Sequence, residues 1–168
     1  ADDKIPPTSR TSEVWVKIAK AYDAIGLTEK ALASYMVSWR QNPSDYESLL
    51  GAAKIYNKLG QPENAQNMAK KALDQNFTGE ASWVYAEACI ALNKPSEAKA
   101  ALEKVIETDP TNIVANRELG KIYYNEKQYD KAIPLLKKAY KTRADADIAF
   151  TIGNAYQEME VYDSAQEY

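Results

Sequence analysis

The sequence predicts an all-α protein, a solenoid of antiparallel helix pairs, and three sets of recurring residues predict it. Tyr22, Tyr56, Cys89, Tyr123 and Tyr156 follow one another at intervals of 34, 33, 34 and 33 residues. Ala31, Ala65, Ala98, Ala132 and Ala165 keep the same intervals, and so do Ala19, Ala53, Ala86, Gly120 and Gly153. Large residues at the first set fill the space between paired helices. Small residues at the other two let the backbones approach. Independent ladders that contract at the same places are the mark of a repeat array.

Residues 1–11 contain Pro6-Pro7 and polar residues, and read as an extended lead-in. The first repeat, 12–45, places Trp15, Ile18, Ala19 and Tyr22 on one face of a helix. Gly26 ends that helix in the left-handed conformation, and Thr28 is expected to cap the next, which carries Ala31 and Tyr35. Pro43 stops the second helix, and Ser44-Asp45-Tyr46-Glu47 reads as a capping box for the third. The second repeat, 46–78, breaks at Gly60-Gln61-Pro62, with glycine closing one helix and proline opening the next. One residue is missing at 74–79, where Gly79 is expected to supply the turn conformation. The third repeat, 79–112, turns at Asn93-Lys94-Pro95 and ends at Asp109-Pro110-Thr111. The fourth, 113–145, has Pro134 early in its second helix, where a missing donor costs little. The fifth, 146–168, is incomplete: its second helix starts near Tyr162 and has only about two turns before Tyr168. A solenoid needs a polar cap on its last apolar face, so the uncapped fifth repeat is a candidate surface for self-association.

The run Trp15, Ile18-Ala19, Tyr22, Ala31, Tyr35 and Pro43 resembles the tetratricopeptide repeat pattern, with Ile, Ala and Tyr in place of its Leu, Gly and Phe. Leu119-Gly120 and Tyr123 match it more closely still. The resemblance implies a right-handed superhelix whose concave groove is lined by the first helix of each repeat. By helical phase the groove positions are Val16 and Lys20 in the first repeat, and Leu50, Gly51, Lys54 and Asn57 in the second. The third contributes Trp83, Val84, Glu87 and Ile90, the fourth Arg117, Lys121 and Tyr124, and the fifth Phe150, Asn154 and Gln157. Apolar residues are frequent there where a solvated face would be polar, which points to an interaction surface. Asn57, Asn154 and Gln157 are suited to a peptide backbone, and Arg117 to a carboxylate. The Lys, Asn and Arg clamp by which some members of the family hold chaperone tails is absent: Lys20 matches one of its sites, but Val16, Gly51, Glu80 and Val84 occupy the others.

With no histidine and one cysteine, the chain lacks the commonest general base and the usual zinc ligands, and no glycine-rich phosphate loop is present. No enzymatic activity and no cofactor are expected. Twenty-one basic against 24 acidic side chains, a net charge of −3, leave no basic stripe for nucleic acid. No apolar run is long enough for membrane insertion. Cys89, on the tyrosine ladder, is expected to be a small buried residue. The start at Ala1-Asp2-Asp3 without methionine is read either as a processed end left by signal-peptide cleavage, which favours an extracytoplasmic, periplasmic location, or as a simple cut in a longer chain. The leading functional reading is a scaffold that binds a protein or peptide segment in the groove. The alternatives are a self-assembly unit stacking through the last repeat and an accessory domain of a larger protein. The repeat reading predicts a far-ultraviolet circular dichroism spectrum dominated by helix, well above the roughly one-third typical of globular chains. A sheet-rich spectrum would overturn it.

Overall fold

A computed structural model describes residues 10–159, and all regular structure among them is helical. The helices are α1 (Ser12–Ala24), α2 (Thr28–Gln41), α3 (Tyr46–Lys58), α4 (Pro62–Gln75), α5 (Gly79–Ala91), α6 (Pro95–Thr108), α7 (Ile113–Asn125), α8 (Tyr129–Thr142) and α9 (Ala146–Glu158). None is long and apolar enough to cross a membrane. The positions expected to form the second helix of the fifth repeat, Ala165 among them, lie outside the described residues, as do residues 1–9 of the expected lead-in. The chain divides into two compact units, 1–93 and 94–168, so the cut falls within the third repeat.

The helices alternate between 13 and 14 residues, and one kind of turn recurs after α1, α3, α5 and α7. At Gly26 (φ 77°), Gly60 (φ 65°), Asn93 (φ 53°) and Lys127 (φ 59°) the backbone is left-handed. The amide of Gly26 donates to the Asp23 carbonyl at 3.0 Å, and that of Leu27 to Tyr22 at 2.9 Å. This is the Schellman pairing, and it recurs at Gly60-Gln61 and Lys127-Gln128. Asparagine tolerates this conformation, whereas Lys127 adopts it against its preference.

Second helices end differently. Four residues link α2 to α3 and α6 to α7, but three link α4 to α5 and α8 to α9. The alternation between 34 and 33 residues in the sequence ladders arises at these links. Three capping expectations are corrected here. Helix α2 begins at Thr28, with Leu27 before it and no side-chain cap. Ser44 does not close a capping box: its hydroxyl donates to Asn42 Oδ1, and Asp45 precedes α3. The Asp45 carboxylate instead accepts from the hydroxyls of Ser48 and Ser38. Ser48 Oγ also lies 2.6 Å from Ser38 Oγ, and Ser38 Oγ 2.8 Å from the Ser12 carbonyl oxygen, so two hydroxyl protons are shared over a cluster that joins the start of α1 to the end of α2. Gly79 has no left-handed φ and is simply the first residue of α5, where the Thr78 hydroxyl accepts from the Ala81 amide (3.1 Å).

In the first unit α1 packs on α2, α3 on α4, and α3 also against α1 and α5. Its core joins Ala19, Ala53 and Ala72 to Leu49, Ile55 and Tyr35, with Tyr22, Trp39 and Trp83 at the margin. Cys89 is fully buried and accepts from Gln66 Nε2 at 3.3 Å. In the second unit α7 packs on α8 and α9, around Ala132, Leu136, Ile148 and Ile152. Gly120 marks a close approach of α7 to α8. A Cβ added there would sit 2.7 Å from Leu136 Cγ and 3.4 Å from the Ala132 carbonyl oxygen. Gly120→Leu should therefore lower stability by about 1–3 kcal/mol or more through overpacking. A denaturant midpoint unchanged from wild type would contradict this packing.

Candidate functional site

The candidate surface is the face of the first helices, α1, α3 and α5 in the first unit and α7 and α9 in the second. The structure divides the sequence-predicted residues into three groups. Val16, Leu50 and Val84 belong to the core, at 7%, 4% and 3% exposure, and this corrects their assignment to the groove. Their helices pack on the neighbouring first helices, α3 on α1 and α5 on α3, which closes that flank to solvent.

The second group is polar and already partnered. Lys20 pairs with Glu47 (2.7 Å), Lys54 with Glu80, and Lys121 with Asp147. Each lysine reaches the first turn of the next first helix, where the acid also suits the helix dipole. The Lys121 ammonium, donating to the carboxylate, holds Asp147 below the ordinary carboxylate range. Such exposed pairs contribute about 0–1 kcal/mol each, so their main effect is to neutralise the face. Asn57 Nδ2 donates to the Val84 carbonyl (3.1 Å) and to Glu87 Oε2 (2.8 Å), and Lys58 pairs with Asp23 (2.7 Å). Arg117 directs Nε and Nη2 to the adjacent Glu118 (2.8 and 2.7 Å). The amide nitrogen of Asn57 and the fork of Arg117 are thus engaged within the chain.

The third group remains accessible. Trp83 is half-buried against the first-unit core, and it lines an open recess of about 350 Å³ with Asn57, Glu87 and the Lys54–Glu80 pair. Ile90 on α5 is partly exposed. In the second unit Tyr124 is half-buried, with its ring 5.5 Å from that of Tyr129. Phe150 on α9 is 67% exposed, with Asn154 and Gln157 on the same helix.

A second recess of about 360 Å³ was not foreseen. It lies where α1 and α3 meet the Tyr35 ring of α2, and Lys20, Asp23, Glu47, Lys54 and Glu80 surround it. Gly51 makes room for the ring: a Cβ there would come within 2.3 Å of Tyr35 Cε1. The signal was present in the sequence, because the positions in phase with Gly51 are Lys17, Val84, Glu118 and Thr151, all with side chains. Burial pushes the Tyr35 hydroxyl up to about 12, with the Asp23 and Glu47 carboxylates adding to the effect.

Comparison with known proteins follows from this geometry. A family model described as tetratricopeptide repeat matches residues 90–149, and one described as anaphase-promoting complex, cyclosome, subunit 3 matches residues 19–105. The chain is similar to the TPR repeat-containing protein YpiA of Bacillus subtilis (strain 168), 24% identical over 144 residues, which cover 84% of this chain and 34% of that protein. It is equally similar to tetratricopeptide repeat protein 8 of Caenorhabditis elegans, 24% identical over 149 residues, covering 84% and 29%. The chain thus spans about a third of the length of these relatives. Among solved structures, the MamA protein superposes with a TM-score of 0.83 at 24% identity, covering 94% of this chain and 87% of that one. YrrB, described as a TPR protein with an unusual peptide-binding site, gives 0.83 at 22% identity, covering 92% and 80%.

The Tyr35 geometry has a consequence for stability in alkali. A phenol ordinarily ionises near 10, and this one keeps its proton in the folded chain to about 12. The folded state therefore binds more protons than the unfolded one between those values, and stability falls as pH rises through that window. Tyr35→Phe removes this contribution. Its thermal midpoint should decline less steeply than wild type between pH 10 and 12, whereas parallel declines would contradict the burial of the hydroxyl.

Proposed function

The chain belongs to the tetratricopeptide repeat family, and from that premise we propose that it is a non-enzymatic interaction scaffold that binds a polypeptide segment of a partner along its first-helix faces. The family suggests the general role, a surface for protein or peptide partners. The more specific reading assigns contact to Trp83 and Ile90 on the first unit and to Tyr124, Phe150, Asn154 and Gln157 on the second. The observation that carries it is Phe150, an aromatic ring 67% exposed on a first helix although it costs hydration to leave it so. Aromatic side chains of this kind dominate binding energy where a partner covers them. The charged residues nearby are mostly paired, so they exclude mismatched charges rather than supply affinity. YrrB is a TPR protein with a peptide-binding site, and that supports a polypeptide ligand here without specifying the residues.

The test uses a partner captured on the immobilised chain and then measured against variants in purified form. Phe150→Ala should weaken that partner by about 2 kcal/mol, as truncation of a central anchor does. Because the ring is mostly solvated, the thermal stability of the free chain should change by no more than about 0.5 kcal/mol. Unchanged affinity, or a loss of stability in place of affinity, would overturn the assignment. Trp83→Ala is the less clean variant, since its ring also packs on the core and its truncation lowers stability as well as affinity.

A further inference from the structure

We propose that the recess formed by Tyr35 and Gly51 between α1 and α3 is a subsite for one uncharged carboxamide side chain, a glutamine or asparagine, of the bound segment. This rests on the segment-binding reading above and specifies its chemistry at one point. Tyr35 is only 5% exposed, and what remains exposed lines this recess. Among the described residues its hydroxyl has no hydrogen-bond partner, and it is not one of the polar atoms sealed from solvent, so it is free to donate to a group in the recess. The phenol keeps its proton throughout the physiological range, so it stands as a donor.

The surrounding charges decide what that donor can meet. Lys20 is matched by Glu47, Lys54 by Glu80, and Asp23 by Lys58, leaving the rim balanced. A carboxylate entering the recess would face Glu47, Glu80 and Asp23, and an ammonium or guanidinium would face Lys20 and Lys54. Either would add a net charge to a rim whose charges already balance. A carboxamide is neutral and carries an acceptor and two donors. Its oxygen can accept from Tyr35 Oη, and its N–H groups can donate to carboxylate oxygens outside the ion pairs. Lys20 bonds Glu47 through Oε2 and Lys58 bonds Asp23 through Oδ1, so Glu47 Oε1 and Asp23 Oδ2 face no lysine at bonding distance. The recess, about 360 Å³, has room for such a group. Glycine at residue 51 lets the Tyr35 ring lie against α3 and so places the ring in the wall of the recess.

The test titrates the full chain with four tripeptides, Ala-X-Ala, each N-acetylated and closed by a methylamide, where X is Gln, Glu, Lys or Ala. Binding is followed by the NMR signals of the Gly51 amide and the Tyr35 ring, in wild type and in Tyr35→Phe. The Gln peptide should shift both signals saturably and bind tightest of the four. Tyr35→Phe, which keeps the ring that fills the space at Gly51, should weaken it roughly three- to tenfold, the loss of one hydrogen bond. Equal binding to Tyr35→Phe, a preference for the Glu or Lys peptide, or no shift at Gly51 would overturn the subsite. An Ala peptide as tight as the Gln peptide would also do so, by assigning recognition to the main chain. None of these results alters the effect of Phe150→Ala on the captured partner, so the two readings fail separately.

Discussion

The close approach of paired helices at a column of small residues is the constraint on which the rest of the structure depends. Ala19, Ala53 and Ala86 have no exposed surface, nor do Ala31, Ala65 and Ala132. Gly120 stands 2.7 Å, measured from an added Cβ, from a Leu136 side chain that would otherwise have to move. Backbones this close leave no tolerance for a rotated helix. The phase of each first helix is thereby set, and with it the residues that remain outside. Left-handed residues at Gly26, Gly60, Asn93 and Lys127 then end the first helix of each of four repeats in the same backbone conformation. Repetition of one local solution produces the nine helices of the described residues without a long-range topology to search.

The fold was legible in the sequence because its determinants are local and repeated. The ladders located the helix pairs, and the contraction at 74–79 appears as a three-residue link in place of a four-residue one. The caps were less legible. Asp45 receives two serine hydroxyls from different helices, a contact that depends on tertiary neighbours, and so it could not be told from a capping box by spacing. Lys127 adopts a conformation its residue type disfavours because the turn around it demands it.

Less of the candidate site could be read, for a related reason. Helical phase separates the two sides of a first helix, but it does not show how much of a side the next first helix covers. Val16, Leu50 and Val84 lie on that covered margin. Phase is equally silent about pairing, so Arg117 and Asn57 read as free binding groups although Glu118 and the Val84 carbonyl hold them. Gly51 illustrates a third limit. It read as a plain groove position, and the structure shows that its missing side chain admits the Tyr35 ring to the wall of a recess.

Alanines on both helices of a pair make the close packing. The first helices carry balanced charges, two recesses and the exposed Phe150, and α2 lines a further recess of about 530 Å³ with Leu32, Met36 and Val37. Amide hydrogen exchange of the full chain, with and without a captured partner, tests the central claim most directly. Binding on the first-helix face should slow exchange in α5, α7 and α9 and leave α4, α6 and α8 as they are in the free chain. Protection confined to the second helices, with α5, α7 and α9 unaffected, would contradict the account and move the binding surface to the opposite face.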